Sequence, residues 1–297
     1  MSAATRLRLA IPGLLLAPLA TFAACTDPAE PGPPAVETGT YHGYVQRGWV
    51  LPHDRTESIA LGQDLDGDGY VDNQTGSLIG SLIGLGLELD TAADDAFQSG
   101  AIVALHRLRA DSLVTDASIE WRTFAGVPAP APRFDGTDAF TAAAETGRVT
   151  GMIRHGRAEL TWGETRIALP FFPAQAALEV PLVDVSLLLD VDAGGCSGRL
   201  GGVIPAAEVD EAILPQLAAE AIIHMTRHPE HEFTRLATQV FDDDHDGRVT
   251  VAEILADPIT RAFFKPDIDR DGDGERDGVS FGAGFDCVPA SFTPPAP

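Results

Sequence analysis

The sequence predicts an α+β protein in which an antiparallel β-sandwich or barrel-like sheet carries flanking helices. Apolar residues fill every second position from Val183 to Val191, with mostly polar residues between them, which is typical of a strand with one buried face. Several short strands of this kind favour a sandwich or barrel-like sheet. From Ala206 to Phe264 the apolar residues instead recur at helical spacing, as at Ile213, Leu217 and Ala221.

Residues 1–24 are predicted to be a signal peptide. Arg6 and Arg8 give the segment a positively charged start, and the apolar stretch from Leu9 to Phe22 follows. Proline and glycine interrupt that stretch, so it is too short and too irregular to span a membrane. We therefore expect the protein to be exported.

The segment from Phe22 to Cys25 resembles the lipobox of bacterial lipoproteins, although that pattern prefers Leu where Phe22 stands. The resemblance implies that Cys25 is lipidated and that this lipid anchor holds the protein at a membrane. Thr26, rather than Asp, follows the cysteine, which favours an outer membrane lipoprotein on the periplasmic face or at the cell surface. An ordinary signal peptide or a buried cysteine is the alternative. Residues 25–39 would be the anchor and a proline-rich tether.

Two regions are expected after the tether. Residues 40–205 would form a mainly β domain that begins with an Asp-rich loop and a short helix. Residues 206–292 would form a helical region that packs on the β domain and ends with another Asp-rich loop, before a tail at 293–297.

Cys196 and Cys287 are the two cysteines that remain after Cys25. In an oxidising compartment two spare cysteines often pair, so the sequence predicts a disulfide between them. Two separate buried thiols are the alternative.

The acidic loop 242–253 has the residue spacing of a calcium site. Asp242, Asp244 and Asp246 place carboxylates at alternate positions, and a glycine follows where the chain must turn sharply. The other candidate ligands are the Arg248 carbonyl, Thr250 and Glu253. The loop and its flanks resemble an EF-hand over roughly 30 residues, which implies Ca2+ and gives the predicted fold a C-terminal EF-hand. A solvated acidic turn is the alternative.

Two further loops have a similar oxygen spacing and resemble dockerin-type or thrombospondin-type calcium loops. Their candidate ligands are Asp64, Asp66, Asp68, Tyr70 and Asp72 in the first loop, and Asp269, Asp271, Asp273, Glu275 and Asp277 in the second. Thr75 and Ser280 stand where an EF-hand has its bidentate Glu, so each loop would need a carboxylate from elsewhere. An Asp/Gly turn without an ion is the alternative. The order of these loops around a Gly-rich β region also resembles a group of bacterial lipoproteins, which implies no activity.

The bulk composition narrows the function further. A formal net charge of −24 disfavours nucleic acid as a partner, since phosphates would be repelled. We assign no catalytic residue, because no local nucleophile or phosphate-loop motif occurs. The expected function is that of a calcium-binding exported lipoprotein. Its calcium would be mainly structural, and it would serve as an envelope or cell-surface binding module for a protein or glycan. A calcium-dependent extracytoplasmic hydrolase or a calcium sensor is the alternative.

Overall fold

The computed structural model describes residues 39–172 and 175–295. The predicted signal peptide, the lipidation site Cys25 and all but the last residue of the predicted tether lie outside these residues. Nine strands are described: β1 (Thr40–Val50), β2 (Ala104–Ala110), β3 (Thr115–Gly126), β4 (Ala139–Arg154), β5 (Arg157–Leu169), β6 (Leu178–Asp192), β7 (Gly195–Pro205), β8 (Gly278–Pro289) and β9 (Ser291–Thr293).

Strands β1 to β8 form one closed antiparallel barrel. Each strand pairs with the next strand in the chain. This includes β7 and β8, which pair although a long excursion separates them in the sequence. Closure comes from β1, which pairs with β2 on one side and with β8 on the other, where Tyr44 lies opposite Pro289. Closure leaves the eight strands without an unpaired edge.

The alternation of β6 shows why these segments form barrel strands. Leu178, Val180 and Leu182 are buried and point into the barrel, while Glu179 between them is exposed. The interior is apolar throughout most of its length and includes the fully buried side chains of Trp121 and Leu160. Burial of one face of every strand is therefore the main stabilising term.

An irregularity in the pairing of β4 with β5 lies at Gly163. The pairing of β4 with β5 shifts register between Val149 and Thr150, which lie opposite this part of β5. Gly163 has φ +144°, and a Cβ there would lie 2.1 Å from the carbonyl oxygen of Arg148. Only glycine fits such an approach, so the bulge marks a place where the barrel wall can curve.

The helices are few and short, and most of them lie in the C-terminal part of the chain. They are α1 (Arg55–Leu61), α2 (Gln74–Gly84), α3 (Leu89–Gln98), α4 (Ala206–Glu208), α5 (Leu214–Arg227), α6 (Glu232–Phe241), α7 (Val251–Ala256) and α8 (Pro258–Phe263). A π-helical stretch, Val209–Ile213, joins α4 to α5.

The predicted fold, a sandwich or barrel-like sheet with flanking helices and a C-terminal EF-hand, is wrong. A closed barrel buries its apolar side chains inside itself, so it needs neither a second sheet nor a covering layer of helices. Its last strand, β8, comes from the region predicted to be helical. The helix after loop 242–253, α7, has only six residues, and Pro258 begins the next helix directly afterwards. Proline disfavours helical backbone in the residue before it, which explains this early end.

A second, smaller apolar cluster packs outside the barrel. Val45, Leu105 and Phe124 form its centre, and the Phe124 ring meets that of Phe292 edge-on at 5.5 Å between centroids. Phe292 belongs to β9, which pairs parallel with the start of β4. The end of the described chain is thereby fastened to the outer wall of the barrel.

A disulfide joins Cys196 of β7 to Cys287 of β8. The two residues lie directly opposite each other in the antiparallel ladder, with their Cα atoms 5.0 Å apart, and both are buried. The bond therefore links strands that are already neighbours. It also encloses the long excursion that carries α4 to α8 and two of the three acidic loops.

Within the described part of the chain, no helix is both long enough and apolar enough to cross a membrane.

Candidate metal centres

Three groups of aspartates bring their side-chain oxygens together. In each group, one oxygen from each of three residues lies within 4.8 Å of the others; the groups are Asp64, Asp66 and Asp72, then Asp242, Asp244 and Asp246, then Asp269, Asp271 and Asp273. Each cluster could bind a metal ion. The prediction of metal-binding acidic clusters in these three loops is confirmed at this level.

In loop 64–72 the backbone turns the carboxylates inward. The Asp64 carboxylate accepts hydrogen bonds from the backbone N–H groups of Gly67 at 2.8 Å and Gly69 at 3.1 Å, and both glycines have positive φ. A short antiparallel bridge between Gln63 and Asp72 closes the loop. This geometry holds the oxygens of the cluster on one side of a tight turn.

The other two predicted ligands of this loop, Asp68 and Tyr70, are not part of the group of three converging aspartates. Asp68 lies outside the group of three and accepts a hydrogen bond from the Tyr70 N–H at 2.8 Å. The Tyr70 side chain is 75% exposed, so its possible ligand is the backbone carbonyl.

Asp72 is the most perturbed carboxyl of the loop. Burial raises its pKa to about 6, a hydrogen bond from the Leu65 N–H opposes that rise, and the charges of Asp66, Asp267 and Asp68 add to it. Loss of hydration on burial and repulsion from these carboxylates both make the ionised form of Asp72 less stable. A bound cation would remove the repulsion and favour the ionised carboxylate.

Loop 242–253 repeats the inward turn. Asp242 accepts hydrogen bonds from the N–H groups of Asp246 at 3.1 Å and Gly247 at 3.0 Å, and Gly247 has φ +83°. Asp246 in turn accepts from the Arg248 N–H at 2.7 Å. The three aspartates therefore converge, as the spacing predicts.

Thr250 and Glu253 are hydrogen-bonded to each other in this structure. The Glu253 carboxylate accepts hydrogen bonds from the Thr250 N–H at 2.7 Å and from its hydroxyl at 2.8 Å, and the Thr250 hydroxyl accepts from the Glu253 N–H. This reciprocal pair is a capping box at the start of α7. These hydrogen bonds from Thr250 lower the pKa of Glu253. The backbone N–H groups of Asp243 and Asp244 also lower the pKa of Glu253, so its carboxylate lies near the start of the loop.

Loop 269–277 closely matches loop 64–72. Asp269 accepts from the N–H groups of Gly272 at 2.8 Å and Gly274 at 2.9 Å, and a bridge between Ile268 and Gly278 closes the loop. Asp273 accepts from the Glu275 N–H, while Asp277 accepts from the Arg270 N–H and lies outside the group of three.

Two of the loops meet at the start of β8. The Gln74 N–H, just after loop 64–72, donates to the Ser280 hydroxyl at 2.7 Å, and that hydroxyl donates to Asp267 at 2.5 Å. Asn73 also donates to the Gly282 carbonyl at 2.9 Å. Burial raises the pKa of Asp267, whose charge also contributes to the raised pKa of Asp72. Asp267 is thus a carboxylate shared by the surroundings of both loops, and its place before Asp269 in an alternating Asp pattern was the only sequence signal for it.

Three histidines gather at the end of α5. The His224 ring lies 4.8 Å from that of His228 and 5.1 Å from that of His231, measured between centroids. Burial lowers the pKa of His224 to about 4, and the charges of its two neighbours lower it further. Within the described residues these histidines do not form a group that could hold a metal ion.

No protein-family model, no curated protein and no solved structure matches this chain. The identity of the ion and the kind of loop therefore rest on the residues themselves.

Proposed function

We propose that this protein is an exported lipoprotein that binds Ca2+ through loops 64–72, 242–253 and 269–277 and uses the ion mainly to stabilise its fold. The observation that carries the proposal is the convergence of three aspartates within 4.8 Å in each loop. The predicted donors are all oxygens, from carboxylates, backbone carbonyls and a hydroxyl. Hard cations prefer such a set, and Ca2+ accepts six to eight of these ligands in flexible geometry, whereas Mg2+ demands a tighter octahedron.

The finer assignments follow the loop spacings. Loop 242–253 is EF-hand-like, because the aspartates, the positive-φ Gly247 and Glu253 keep the spacing of that loop. The other two loops are dockerin-like or thrombospondin-like, since each is closed by a β-bridge and lacks a Glu at the last position.

The position of the loops supports a structural role for the ion. Loops 64–72 and 269–277 both adjoin β8, the strand that closes the barrel, through Asn73 and Ser280. Ions in these loops would hold the N-terminal helices and the closing strand together. Because the folded loop gathers carboxylates that are dispersed in the unfolded chain, binding would favour the folded state.

Location and partners extend the proposal. Lipidation of Cys25 would place the protein at the outer membrane, on its periplasmic face or at the cell surface, where calcium sites of modest affinity stay filled. The net charge of −24 favours cations over nucleic acid, and a protein or glycan is the proposed partner of the envelope binding module.

Calorimetry with matched variants tests calcium binding. Asp242→Ala removes one converging carboxylate, whereas Asp243→Ala makes the same charge change one residue away, outside the group of three. We expect Asp242→Ala to lose one Ca2+ equivalent and Asp243→Ala to keep the wild-type stoichiometry. Equal stoichiometry in all three proteins would remove loop 242–253 from the proposal, and a wild type that binds no Ca2+ would overturn it.

A further inference from the structure

A cavity of about 440 Å3 lies inside the barrel. Aromatic and aliphatic side chains make most of its wall, including Trp49, Phe97, Ile167, Leu187 and Phe285. Exposed residues such as Arg166 and Glu179 line part of it, so the cavity reaches the protein surface. Small-molecule sites typically have volumes of about 300–1,000 Å3 and walls of this mostly apolar kind.

Two buried polar side chains face this cavity without a partner. Within residues 39–172 and 175–295, both ring nitrogens of His106 and the Nε1 of Trp121 lack a hydrogen-bond partner. His106 is 6% exposed and Trp121 is 0% exposed. Buried polar groups are nearly always hydrogen-bonded, so the unpartnered nitrogens of His106 indicate that a ligand group or water completes the site.

His106 is an uncharged group in this setting. Its ring lies between those of Trp121 and Phe285, at 5.1 and 5.6 Å between centroids, and burial lowers its pKa to about 3. A neutral imidazole presents one N–H donor and one acceptor nitrogen. At the cavity, His106 therefore offers one donor and one acceptor.

The rest of the buried polar lining is neutral as well. The hydroxyls of Thr146, Thr123 and Thr165 form a hydrogen-bonded chain along one wall, with 2.9 Å between successive oxygens. The charged residues described in the lining are Arg166 and Glu179, and both are exposed. An ion taken into the interior would lose its hydration without meeting a buried opposite charge.

From this lining we propose that the barrel interior binds a neutral, mainly apolar small molecule that carries a hydroxyl group. The hydroxyl proton is donated to the free nitrogen of His106. The apolar part fills the space among Trp49, Phe97 and Leu187. This site is separate from the three acidic loops and does not depend on their binding calcium.

Fluorescence of N-phenyl-1-naphthylamine, a neutral apolar probe, tests the cavity directly. We expect the probe to brighten with wild-type protein and 1-octanol to displace it. Thr146→Phe places a ring in the cavity, whereas Thr141→Phe makes the same change at an exposed position of the same strand that does not line the cavity. Thr146→Phe should weaken probe binding at least tenfold, and Thr141→Phe should leave it unchanged.

The hydroxyl preference has its own readout. Wild-type protein should bind 1-octanol at least fivefold more tightly than 1-chlorooctane, which has a similar size but no hydroxyl, and His106→Leu should abolish the difference while still binding the probe. Failure of the wild type to bind the probe, or equal loss in Thr146→Phe and Thr141→Phe, would overturn the site. Equal displacement by the two octyl compounds would overturn the assigned ligand class. The wild-type measurements decide both points even if a variant does not fold.

Discussion

Removal of the Cys196–Cys287 disulfide should destabilise the protein by an amount set by the loop that it closes. The two cysteines are 91 positions apart, and the chain-entropy relation gives about 4.6 kcal/mol at 25 °C for a loop of that length. The ladder from Cys196 opposite Cys287 to Pro205 opposite Gly278 already holds β7 against β8. The bond therefore acts mainly by restricting the unfolded chain.

The double variant Cys196→Ala/Cys287→Ala isolates this effect. In urea unfolding at fixed Ca2+, we expect its free energy of unfolding to fall by about 4–5 kcal/mol. The melting temperature should fall by roughly 9–18 °C, at about 2–4 °C per kcal/mol for a domain of this size. Reductant should bring the wild type to the value of the double variant and leave the double variant unchanged. A double variant with the wild-type midpoint, or one that reductant still destabilises, would refute the reasoning.

Three other outcomes are expected. Ca2+ at a hundredfold over its dissociation constant should stabilise the fold by about 2.7 kcal/mol per site, and scanning fluorimetry should show a higher melting temperature with Ca2+ than with Mg2+ or a chelator. Asn73→Ala should cost roughly 2–3 kcal/mol in urea unfolding, because its side chain caps α2 and bonds the buried carbonyls of Ser58 and Gly282; no change would contradict that role. Since the pKa of His106 is about 3 when folded and near 6.5 when unfolded, stability should be lost as pH falls from 6.5 towards 3, by up to about 1.4 kcal/mol per pH unit. His106→Leu should remove this part of the slope, and an unchanged slope would show that folding does not lower the pKa of His106.

Local patterns predicted local structure well. The alternation from Val183 to Val191 lies within β6, and the aspartates of loop 242–253 converge as their spacing implies. Such patterns depend on neighbours in the chain. Closure of the barrel does not depend on neighbours in the chain, because β1 must pair with β8 across most of the sequence. Neither strand has a local pattern that identifies its partner.

Thr250 and Glu253 show a second reason why a sequence pattern does not determine the role of a residue. Their spacing suits the last ligands of an EF-hand loop, and the same Thr-x-x-Glu spacing is also the signature of a capping box. The same two residues can serve both uses, and the structure shows the capping box at the start of α7. The cavity could not be predicted either, because His106, Trp121 and the threonines lie on successive strands, β2 to β5, and meet only through the register of these strands and the closure of the sheet.

The pairing of β1 with β8 also dictates an order of events during folding. Tyr44 cannot find its partner Pro289 until almost the whole described chain is available, so the barrel must close late and slowly. A chain emerging from the ribosome would keep an open sheet, and all three acidic loops would be synthesised before β8, the strand that completes it. This delay suits a protein that we propose to be exported, since the chain can be transported before the barrel closes.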